Sequence, residues 1–329
     1  MTPPDAGETP MYIVPEAAIA GLITRDDSFR AVEAVFASMA CGRARNFPVI
    51  REALGHADAL YGFKSGFDRD SLALGLKSGG FWPGNAARGL TNHQSTIFLF
   101  DADTGQIKAV IGVNLLTALR TAAASAVSIR HLARPDAEVM AMVGAGHQAS
   151  FQLRAALEQR RFRRVIAWNR SPDRLDRLAA VADEFGLPFE AVSLDRLGAE
   201  ADVIVTILSS FAPVLTAAQI RPGTHLACMG TDTRGKQEVG TDLVAKARLF
   251  TDEVAQSVSI GECQHAVAAG LVRPDDIVPL GRVIEGDHPG RRSPEEITLF
   301  DGTGVALQDL AVAAAVLERA IAAGSAIEV

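Results

Sequence analysis

The sequence is poor in cysteine, has no clustered histidines and carries no excess of positive charge. Its three cysteines, Cys41, Cys228 and Cys263, have no CxxC spacing, so we expect neither a disulfide framework nor a zinc knuckle. The seven histidines show no metal-ligand spacing such as HExxH, and no metal site is expected. This cysteine usage favours a reducing compartment, and we expect a cytoplasmic protein.

The charge balance and the apolar runs argue against two further classes of partner. Lysine and arginine total 32 against 39 aspartates and glutamates, a net charge of −7, so no affinity for nucleic acid is expected. The longest apolar stretch, residues 305–323, is interrupted by two acidic residues, an arginine and a glutamine, and we expect no membrane span. Residues 1–10 are proline-rich and acidic without the segments of a secretion signal, so a loose tail is expected there.

The chain is long enough for two domains of ordinary globular composition. It has 329 residues, of which 48% are hydrophobic and 22% charged. Between residues 46 and 113, short runs punctuated by glycine and asparagine predict an antiparallel sheet. Its strands are expected at residues 47–50, 59–63, 72–77, 96–100 and 109–112, with a hairpin turn at residues 101–105.

After Pro135, strand-like and helix-like segments alternate, which predicts parallel βαβ units with both sheet faces covered. The fold class expected is α/β, a Rossmann-type doubly wound parallel sheet plus a separate α+β domain. We place the α+β domain at residues 1–118 with 306–329 and the Rossmann domain at residues 119–305. The last helix, at residues 306–323, has no further strand to feed and is expected to pack on the first domain.

A glycine motif follows the first predicted strand of the Rossmann domain. Residues 139–143 lead into Gly144-Ala145-Gly146-His147-Gln148-Ala149, a GxGxxA pattern followed by a helix. In this motif Gly144 makes the tight turn, Gly146 admits the pyrophosphate, and the helix N-terminus offers N–H groups to the phosphates. The pattern predicts an NAD(P)H site. A flavin is the less favoured ligand, and glycines that serve packing alone are the structural alternative.

The preference between NADH and NADPH stays open. At the end of the second predicted strand, where an acidic residue would bind the adenosine ribose, the sequence reads Trp168-Asn169-Arg170-Ser171. Nothing there repels a 2′-phosphate. Arg170 either binds one or is an ordinary exposed residue before a helix start.

Three segments, residues 51 with 75–85, 116–125 and 229–238, carry polar residues that a fold alone does not require. A bidentate arginine such as Arg51 or Arg120 fixes a planar carboxylate. An aspartate at the carboxyl edge of a parallel strand, such as Asp232, lies where ligands bind in open α/β sheets. Each residue also has a purely structural interpretation. The arginines could form structural salt bridges, Lys77 could be a strand residue whose side chain snorkels to solvent, and Asp232 could cap a helix or turn.

These segments, with Gly261-Glu262, Pro289-Gly290-Arg291 and residues 299–309, resemble the ornithine cyclodeaminase and mu-crystallin family over nearly everything from Met11 to the end. The resemblance implies a homodimer with a substrate-binding and dimerisation domain and a nicotinamide-binding Rossmann domain. It implies that Arg51, Lys77 and Arg120 bind the substrate carboxylate and that Asp232 and Lys77 are catalytic. The residues expected at the cofactor are Arg120, Thr121, Gly144, Ala145, Gly146, His147, Gln148, Asn169, Arg170, Ser209, Met229, Gly230 and Asp232.

Within the family, five segments resemble the members that reduce iminosuccinate to L-aspartate in the bacterial β-hydroxyaspartate route: residues 46–53, 59–64, 92–96, 257–265 and 300–305. The family's usual Lys-Ser-Val-Gly is replaced by Asp301-Gly-Thr303-Gly, which argues against cyclodeamination. A dicarboxylate requires cations at both ends. Lys64 and His93 are the candidates for the distal carboxylate, and an ordinary surface or turn position is the alternative for both.

Other activities remain open at this point. Ornithine or lysine cyclodeamination, alanine dehydrogenation and reduction of a cyclic ketimine are all chemistries of the family. A non-catalytic protein that binds cofactor and a small hydrophobic ligand, as in mu-crystallin, is the alternative from another class. The presence of Arg51, Lys77, Arg120 and Asp232 together favours an enzyme, because a binding protein would not need all four.

Overall fold

A computed structural model describes residues 10–329 of the chain, so nearly all of the predicted tail lies outside the described residues. The chain divides into two compact units. The first comprises the residues up to 31, residues 42–120 and residues 305–329, and the second comprises residues 32–41 and 121–304. We refer to them as the first and second units.

The first unit contains an eight-stranded sheet in the order β18-β1-β7-β6-β5-β4-β2, with β3 paired to β4. Its strands are β1 (Tyr12–Val14), β2 (Ala44–Asn46), β3 (Ile50–Ala53), β4 (Leu60–Asp68), β5 (Ala73–Phe81), β6 (His93–Phe100), β7 (Ile107–Gly112) and β18 (Ile327–Glu328). All pairs are antiparallel except β1 with β7, which is parallel. The predicted strand at residues 47–50 is wrong, because Pro48 has no N–H to donate and the pairing begins at Ile50. The predicted hairpin between β6 and β7 is confirmed.

The helices are α1 (Glu16–Ile19), α2 (Arg25–Ala40), α3 (Asn114–Leu132), α4 (Ala149–Leu157), α5 (Asp176–Glu184), α6 (Leu194–Glu200), α7 (Thr241–Lys246), α8 (Val254–Ser257), α9 (Gln264–Ala268), α10 (Leu280–Ile284) and α11 (Ala306–Ala322). None of the helices in residues 10–329 is both long enough and apolar enough to cross a membrane. The division into units passes through α2 and through α3.

Helix α11 packs on β4 and β5, as predicted for the last helix. Two glycines permit its close approach. A Cβ atom added at Gly66 would lie 3.1 Å from Leu307 Cδ2, and one at Gly75 would lie 2.9 Å from Leu310 Cδ2. The expectation that no strand follows this helix is wrong, since β18 pairs with β1. Two residues are too few to show a strand pattern in the sequence.

The second unit contains an eight-stranded, fully parallel sheet in the order β10-β9-β8-β11-β13-β17-β15-β16. Its strands are β8 (Val139–Val143), β9 (Arg164–Trp168), β10 (Phe189–Ala191), β11 (Val203–Thr206), β13 (His225–Cys228), β15 (Arg248–Thr251), β16 (Ile277–Pro279) and β17 (Thr298–Asp301). The strands β12 (Phe211–Leu215) and β14 (Gln237–Val239) form a separate parallel pair. From β8 the chain adds β9 and β10 on one side and then β11 and β13 on the other, so the order in which strands are added reverses at β8. The α/β, doubly wound fold class is therefore confirmed.

Candidate functional site

The glycine motif lies at the reversal point of the second unit's sheet. Gly144 follows β8 with φ of +111°, a conformation that side chains other than glycine rarely adopt. A Cβ atom at Gly144 would also lie 2.8 Å from the carbonyl oxygen of Ile207. The Gly144 N–H donates to the carbonyl of Trp168 at 2.9 Å. Position 144 therefore requires glycine for both its conformation and its contacts.

The following turn has room and donors for a phosphate group. A Cβ atom added at Gly146 would meet nothing within 4 Å, and Gly146 and His147 are exposed. Helix α4 begins two residues after His147, and its N-cap residue, Gln148, makes no capping hydrogen bond with its side chain. The helix start therefore offers backbone N–H groups beside open space, which fits the pyrophosphate of a dinucleotide.

The end of β9 is tied to the same turn. Asn169 Oδ1 accepts a hydrogen bond from the Ala145 N–H at 3.2 Å, and Asn169 Nδ2 donates to the Ser171 carbonyl at 2.7 Å. Its side chain thus holds two loops together. Arg170 is exposed. Sequence analysis missed Arg177, an exposed residue of α5 whose guanidinium donates to the Gly146 carbonyl at 3.5 Å.

Other predicted cofactor residues follow neighbouring parallel strands. Ser209 is exposed after β11, while Met229 is buried directly after β13. A Cβ atom at Gly230 would lie 2.2 Å from the Leu208 carbonyl oxygen, so this position also requires glycine. Thr121 is half-buried in α3. Because β8, β11 and β13 are adjacent and parallel, the residues after them meet at one edge of the sheet.

Asp232 lies in the loop of residues 230–236 that follows β13, which we call the aspartate loop. Lys236 Nζ donates to Asp232 Oδ1 at 2.7 Å, and Thr233 Oγ1 donates to the same oxygen at 3.2 Å. Sequence analysis did not single out Lys236. The Asp-x-x-x-Lys spacing was the available signal, but in a loop such spacing does not imply contact.

Two buried glutamates bind the backbone around the aspartate loop. Glu238 accepts hydrogen bonds from the N–H groups of Leu208 at 2.6 Å and Gly230 at 2.8 Å. Glu262 in turn accepts from the N–H groups of Glu238 at 2.9 Å and Val239 at 2.8 Å. Burial raises the pKa of both carboxyl groups, and the charge of Glu238 adds to the effect on Glu262. Neither role was predicted.

In the first unit, Asp309 joins two of the predicted cations. Lys77 Nζ donates to Asp309 Oδ1 at 3.0 Å and to Thr117 Oγ1 at 2.7 Å. Arg120 Nε donates to Asp309 Oδ1 at 2.9 Å, and Arg120 Nη1 donates to Gln308 Oε1 at 3.1 Å. The structural salt bridge considered for Arg120 is thus present. Sequence analysis named Asp309 as part of a motif but gave it no role.

The charge of Lys77 is sensitive to its surroundings. Burial, together with the charges of Arg120 and Lys64, lowers the pKa of Lys77 to about 8 despite the attraction of Asp309. Burial acts in the opposite sense on Asp309, but the Arg120 and Lys77 cations keep the pKa of this carboxyl below its ordinary value. An added anion beside Lys77 would favour its protonated form.

The strand register brings the remaining candidates to the sheet face that α11 covers. Lys64 pairs directly with Lys77, and Arg51 pairs with Gly62, two residues before Lys64. Because alternate residues and cross-strand partners share a face, Arg51, Lys64 and Lys77 project from the same side. His93 pairs with Phe81 on this side, and their rings are 5.1 Å apart. We call this side the cation face.

The departure from the family pattern at position 301 places a carboxyl group in the packed interior of the second unit. Asp301 is fully buried at the end of β17, where Oδ2 accepts hydrogen bonds from Ser257 Oγ at 2.6 Å and the Cys263 N–H at 3.3 Å. Burial raises the pKa of Asp301 to about 8. Among residues 10–329, no group of three or more histidine, cysteine, aspartate or glutamate side chains is arranged to hold a metal ion.

Comparison with known proteins extends over nearly the whole chain. The model of the ornithine cyclodeaminase/mu-crystallin family matches residues 12–324. Iminosuccinate reductase of Paracoccus denitrificans is 64% identical over 319 residues, which are 97% of this chain and 99% of the relative. The crystal structure of that organism's iminosuccinate reductase in complex with NAD+ matches with a TM-score of 0.94 at 63% identity, covering 97% of this chain and 99% of the other.

A second solved structure, an archaeal alanine dehydrogenase dimer with bound NAD, matches with a TM-score of 0.92 at 30% identity and covers 97% of this chain and 99% of its own. The family match spans both compact units, and the predicted family resemblance is confirmed. This chain belongs to the ornithine cyclodeaminase/mu-crystallin family.

Proposed function

We propose that this chain is an NADH-dependent iminosuccinate reductase, an oxidoreductase that reduces a carbon–nitrogen double bond to give L-aspartate. The observation that carries the proposal is the 64% identity, along nearly the whole chain, to the iminosuccinate reductase of Paracoccus denitrificans. The NAD+ bound to that organism's enzyme supports the choice of cofactor. The open turn at Gly146 and the uncapped start of α4 fit such a dinucleotide.

The charge of the cation face supports a dianionic substrate. Arg51, Lys64 and Lys77 project from one side of the sheet, and Arg120 joins Lys77 through Asp309. Lys77 and Arg120 both pair with the buried Asp309, and this concentration of cations on one face favours the binding of an anion. We assign Arg51, Lys77 and Arg120 to the carboxylate next to the imine carbon, which they orient for reaction.

The second carboxylate of iminosuccinate needs a partner of its own. Lys64 is the residue we assign to it, because its register position beside Lys77 adds a cation on the same face. His93 is the second candidate, since it lies on this face and is exposed. A monocarboxylate substrate has no second carboxylate for this lysine to bind.

The residues at the strand ends of the second unit have two roles in this proposal. Gly144, Gly146 and the start of α4 hold the pyrophosphate, while Asn169 keeps the turn in place. When bound, the reduced nicotinamide supplies the hydride that is added to the imine carbon. Asp232 stabilises the positive charge on the protonated imine nitrogen, and that nitrogen keeps its proton in the amine product.

We also propose that the protein is a homodimer formed through the sheet face opposite α11. On this face Ile13, Tyr61 and Phe63 are 37%, 38% and 37% exposed, and Leu76 and Phe98 are half-buried. An apolar patch of this kind typically marks an interaction surface. A second copy is the occupant we favour, because the related archaeal alanine dehydrogenase is a dimer. Light scattering with Phe63→Glu tests it, since that variant should be monomeric at concentrations where the parent protein is dimeric.

A substrate panel tests the activity. Purified protein is supplied with NAD+ and either L-aspartate, L-alanine, L-proline or L-ornithine, and formation of NADH is followed by absorbance. Oxaloacetate with ammonia supplies iminosuccinate for the reductive direction. We expect turnover with aspartate and with the oxaloacetate–ammonia mixture. A higher kcat/KM for alanine, proline or ornithine would replace iminosuccinate reduction by another chemistry of the family, and cofactor binding without turnover would favour a binding protein.

A further inference from the structure

We infer that Lys236 is a positioning residue that keeps Asp232 ionised and oriented for the reacting nitrogen. The inference deepens the proposed function and rests on the role given there to Asp232. Lysine is rare in this chain, at positions 64, 77, 108, 236 and 246 only. Sequence reasoning attached no function to Lys236.

The contact itself is close and partly shielded from water. Lys236 Nζ lies 2.7 Å from Asp232 Oδ1 and 3.4 Å from the carbonyl oxygen of Gly230. The side chain of Lys236 is 17% exposed and that of Asp232 is 32% exposed. A cation at this distance favours the charged form of a carboxyl group, and partial burial strengthens the attraction.

The aspartate loop is built to hold this pair in one arrangement. The Gly235 N–H donates to Gln264 Oε1 at 2.8 Å, and Gln264 Nε2 donates to the Gly261 carbonyl at 2.9 Å. At the other end of the loop, Glu238 holds the Gly230 N–H at 2.8 Å. Exposed ion pairs on helices have no such anchors and contribute little. Here the backbone on both sides of the pair is bonded to buried side chains.

The chemistry of imine reduction explains why Asp232 should be an anion rather than an acid. Hydride adds to the imine carbon, the electron pair of the double bond moves to nitrogen, and the nitrogen already carries its proton. The group that assists must therefore stabilise a cationic nitrogen before the hydride arrives. Lys236 engages Oδ1 of Asp232, and we assign the carboxylate of Asp232 to the substrate nitrogen. The ammonium group of Lys236 keeps the Asp232 carboxyl group ionised and does not itself contact the substrate.

The test compares Lys236→Met and Lys236→Arg with Lys246→Met, a control at the exposed end of α7. Lys236→Met should lower kcat by roughly tenfold to a hundredfold and leave the dissociation constant of NADH unchanged. The acid side of its kcat–pH profile should move to higher pH, because Asp232 loses the cation that favours its ionised form. Lys236→Arg should retain most of the parent kcat and most of the parent pH profile. Lys246→Met should match the parent protein in both.

The pH shift has to be assigned to Asp232 rather than to its neighbours. The other titratable or charged groups around the aspartate loop are Glu238, Glu262, His265 and Arg234. All four are unchanged in these variants. Asp232→Asn removes the group on which Lys236 is proposed to act, so Lys236→Met should cause no further loss in that background.

The outcomes separate the two proposals. If Asp232→Asn keeps the parent kcat, the role of Asp232 in the proposed function is wrong. If Asp232→Asn is impaired but the loss from Lys236→Met multiplies with it, Lys236 does not act through Asp232 and the inference is overturned. An unshifted pH profile in Lys236→Met overturns it as well. If that variant unfolds at lower temperature than the parent, Lys236→Arg decides, since failure to restore kcat would contradict the proposed charge role.

Discussion

Lys64 and Lys77 are direct partners across the antiparallel strands β4 and β5, so two lysine side chains project side by side from one sheet face. Like charges directly opposite in a sheet are destabilising. The pKa of Lys77 is lowered to about 8, mainly by burial, and the charges of Arg120 and, to a smaller extent, Lys64 act in the same direction. Asp309 offsets part of this charge, and a substrate with two carboxylates would offset more of it.

Replacing Lys64 should therefore reduce activity on dicarboxylates selectively. Lys64→Met removes the charge and keeps most of the apolar stem, while Lys108→Met alters an exposed lysine of the same sheet. Loss of one charge-assisted hydrogen bond costs roughly 1.5–3 kcal/mol, about a tenfold to hundredfold drop in kcat/KM. We expect this drop for aspartate in Lys64→Met, little change for alanine, and none for either substrate in Lys108→Met.

Steady-state kinetics on both amino acids checks the expectation. Equal losses for aspartate and alanine would give Lys64 a structural role instead. No loss for either would transfer the distal carboxylate to His93, which His93→Phe then tests.

The pH dependence of substrate binding should report on Lys77. Its folded-state pKa of about 8 means that the cation is lost as the pH rises through this value. Since only the protonated form attracts a carboxylate, kcat/KM should fall above about pH 8. In Lys77→Arg the side chain stays charged throughout this range. We expect the variant to have a lower kcat/KM than the parent protein, but one that does not fall above about pH 8. A kcat/KM for the parent protein that is constant up to pH 10 would contradict the role of Lys77 as an anion-binding cation.

The sequence predicted the features that are local. The GxGxxA motif carries its own context of strand before and helix after, and the structure has both. Candidate cations were also visible, but their common face depends on the register of β3, β4 and β5. Asp309 lies 232 positions from Lys77, and only the packing of α11 on the sheet brings the two together. No local pattern encodes such a contact.

The wrong or missed predictions for short segments have local causes. The wrong strand at residues 47–50 came from reading an apolar run without giving weight to Pro48, and β18 is too short to be visible. Lys236 is close to Asp232 in sequence, yet their contact depends on the turn at Gly235, whose φ is +85°. Glu238 and Glu262 act by binding backbone groups, which side-chain motifs do not reveal.

Gly146→Val should abolish dinucleotide binding without unfolding the protein. A side chain at position 146 meets nothing within 4 Å, so the fold has room for it, but it would fill the space assigned to the pyrophosphate. Gly84→Val serves as the control, because that glycine is equally unobstructed and lies in the first unit. Fluorescence titration with NADH and thermal unfolding without ligand provide the measurements. Normal NADH affinity in Gly146→Val would refute the cofactor site.

Arg170 should permit NADPH to serve as a second cofactor. It is exposed at the end of β9, and the residue before it is Asn169 rather than an acid that would repel a 2′-phosphate. Arg170→Ala should lower kcat/KM for NADPH by roughly tenfold while leaving that for NADH nearly unchanged. Arg177→Ala is the informative companion, since Arg177 contacts the Gly146 carbonyl. An unchanged ratio of the two cofactors in Arg170→Ala would make Arg170 an ordinary surface residue.

The buried pair of Glu238 and Glu262 should make the protein less stable as the pH rises from mildly acidic to neutral. Burial raises the pKa of each from 4.5 to about 7, so between these values the folded protein binds more protons than the unfolded chain. The free energy of unfolding therefore falls as the pH rises through that window. The loss is at most about 3 kcal/mol for each carboxyl group, and Asp301 acts in the same sense.

Glu262→Gln isolates the contribution of the pair. The amide oxygen still accepts from the backbone N–H groups of Glu238 and Val239, but the group no longer titrates. Urea unfolding at pH values across the window should show a smaller decline for Glu262→Gln than for the parent protein, whereas the exposed control Glu318→Gln should follow the parent. Because the uncharged side chain of Glu262→Gln no longer repels the Glu238 carboxylate, that variant should be the more stable protein above pH 7. An equally steep decline in Glu262→Gln would mean that the pair is already charged in mildly acidic solution, with the hydrogen bonds from the aspartate loop outweighing the cost of burial.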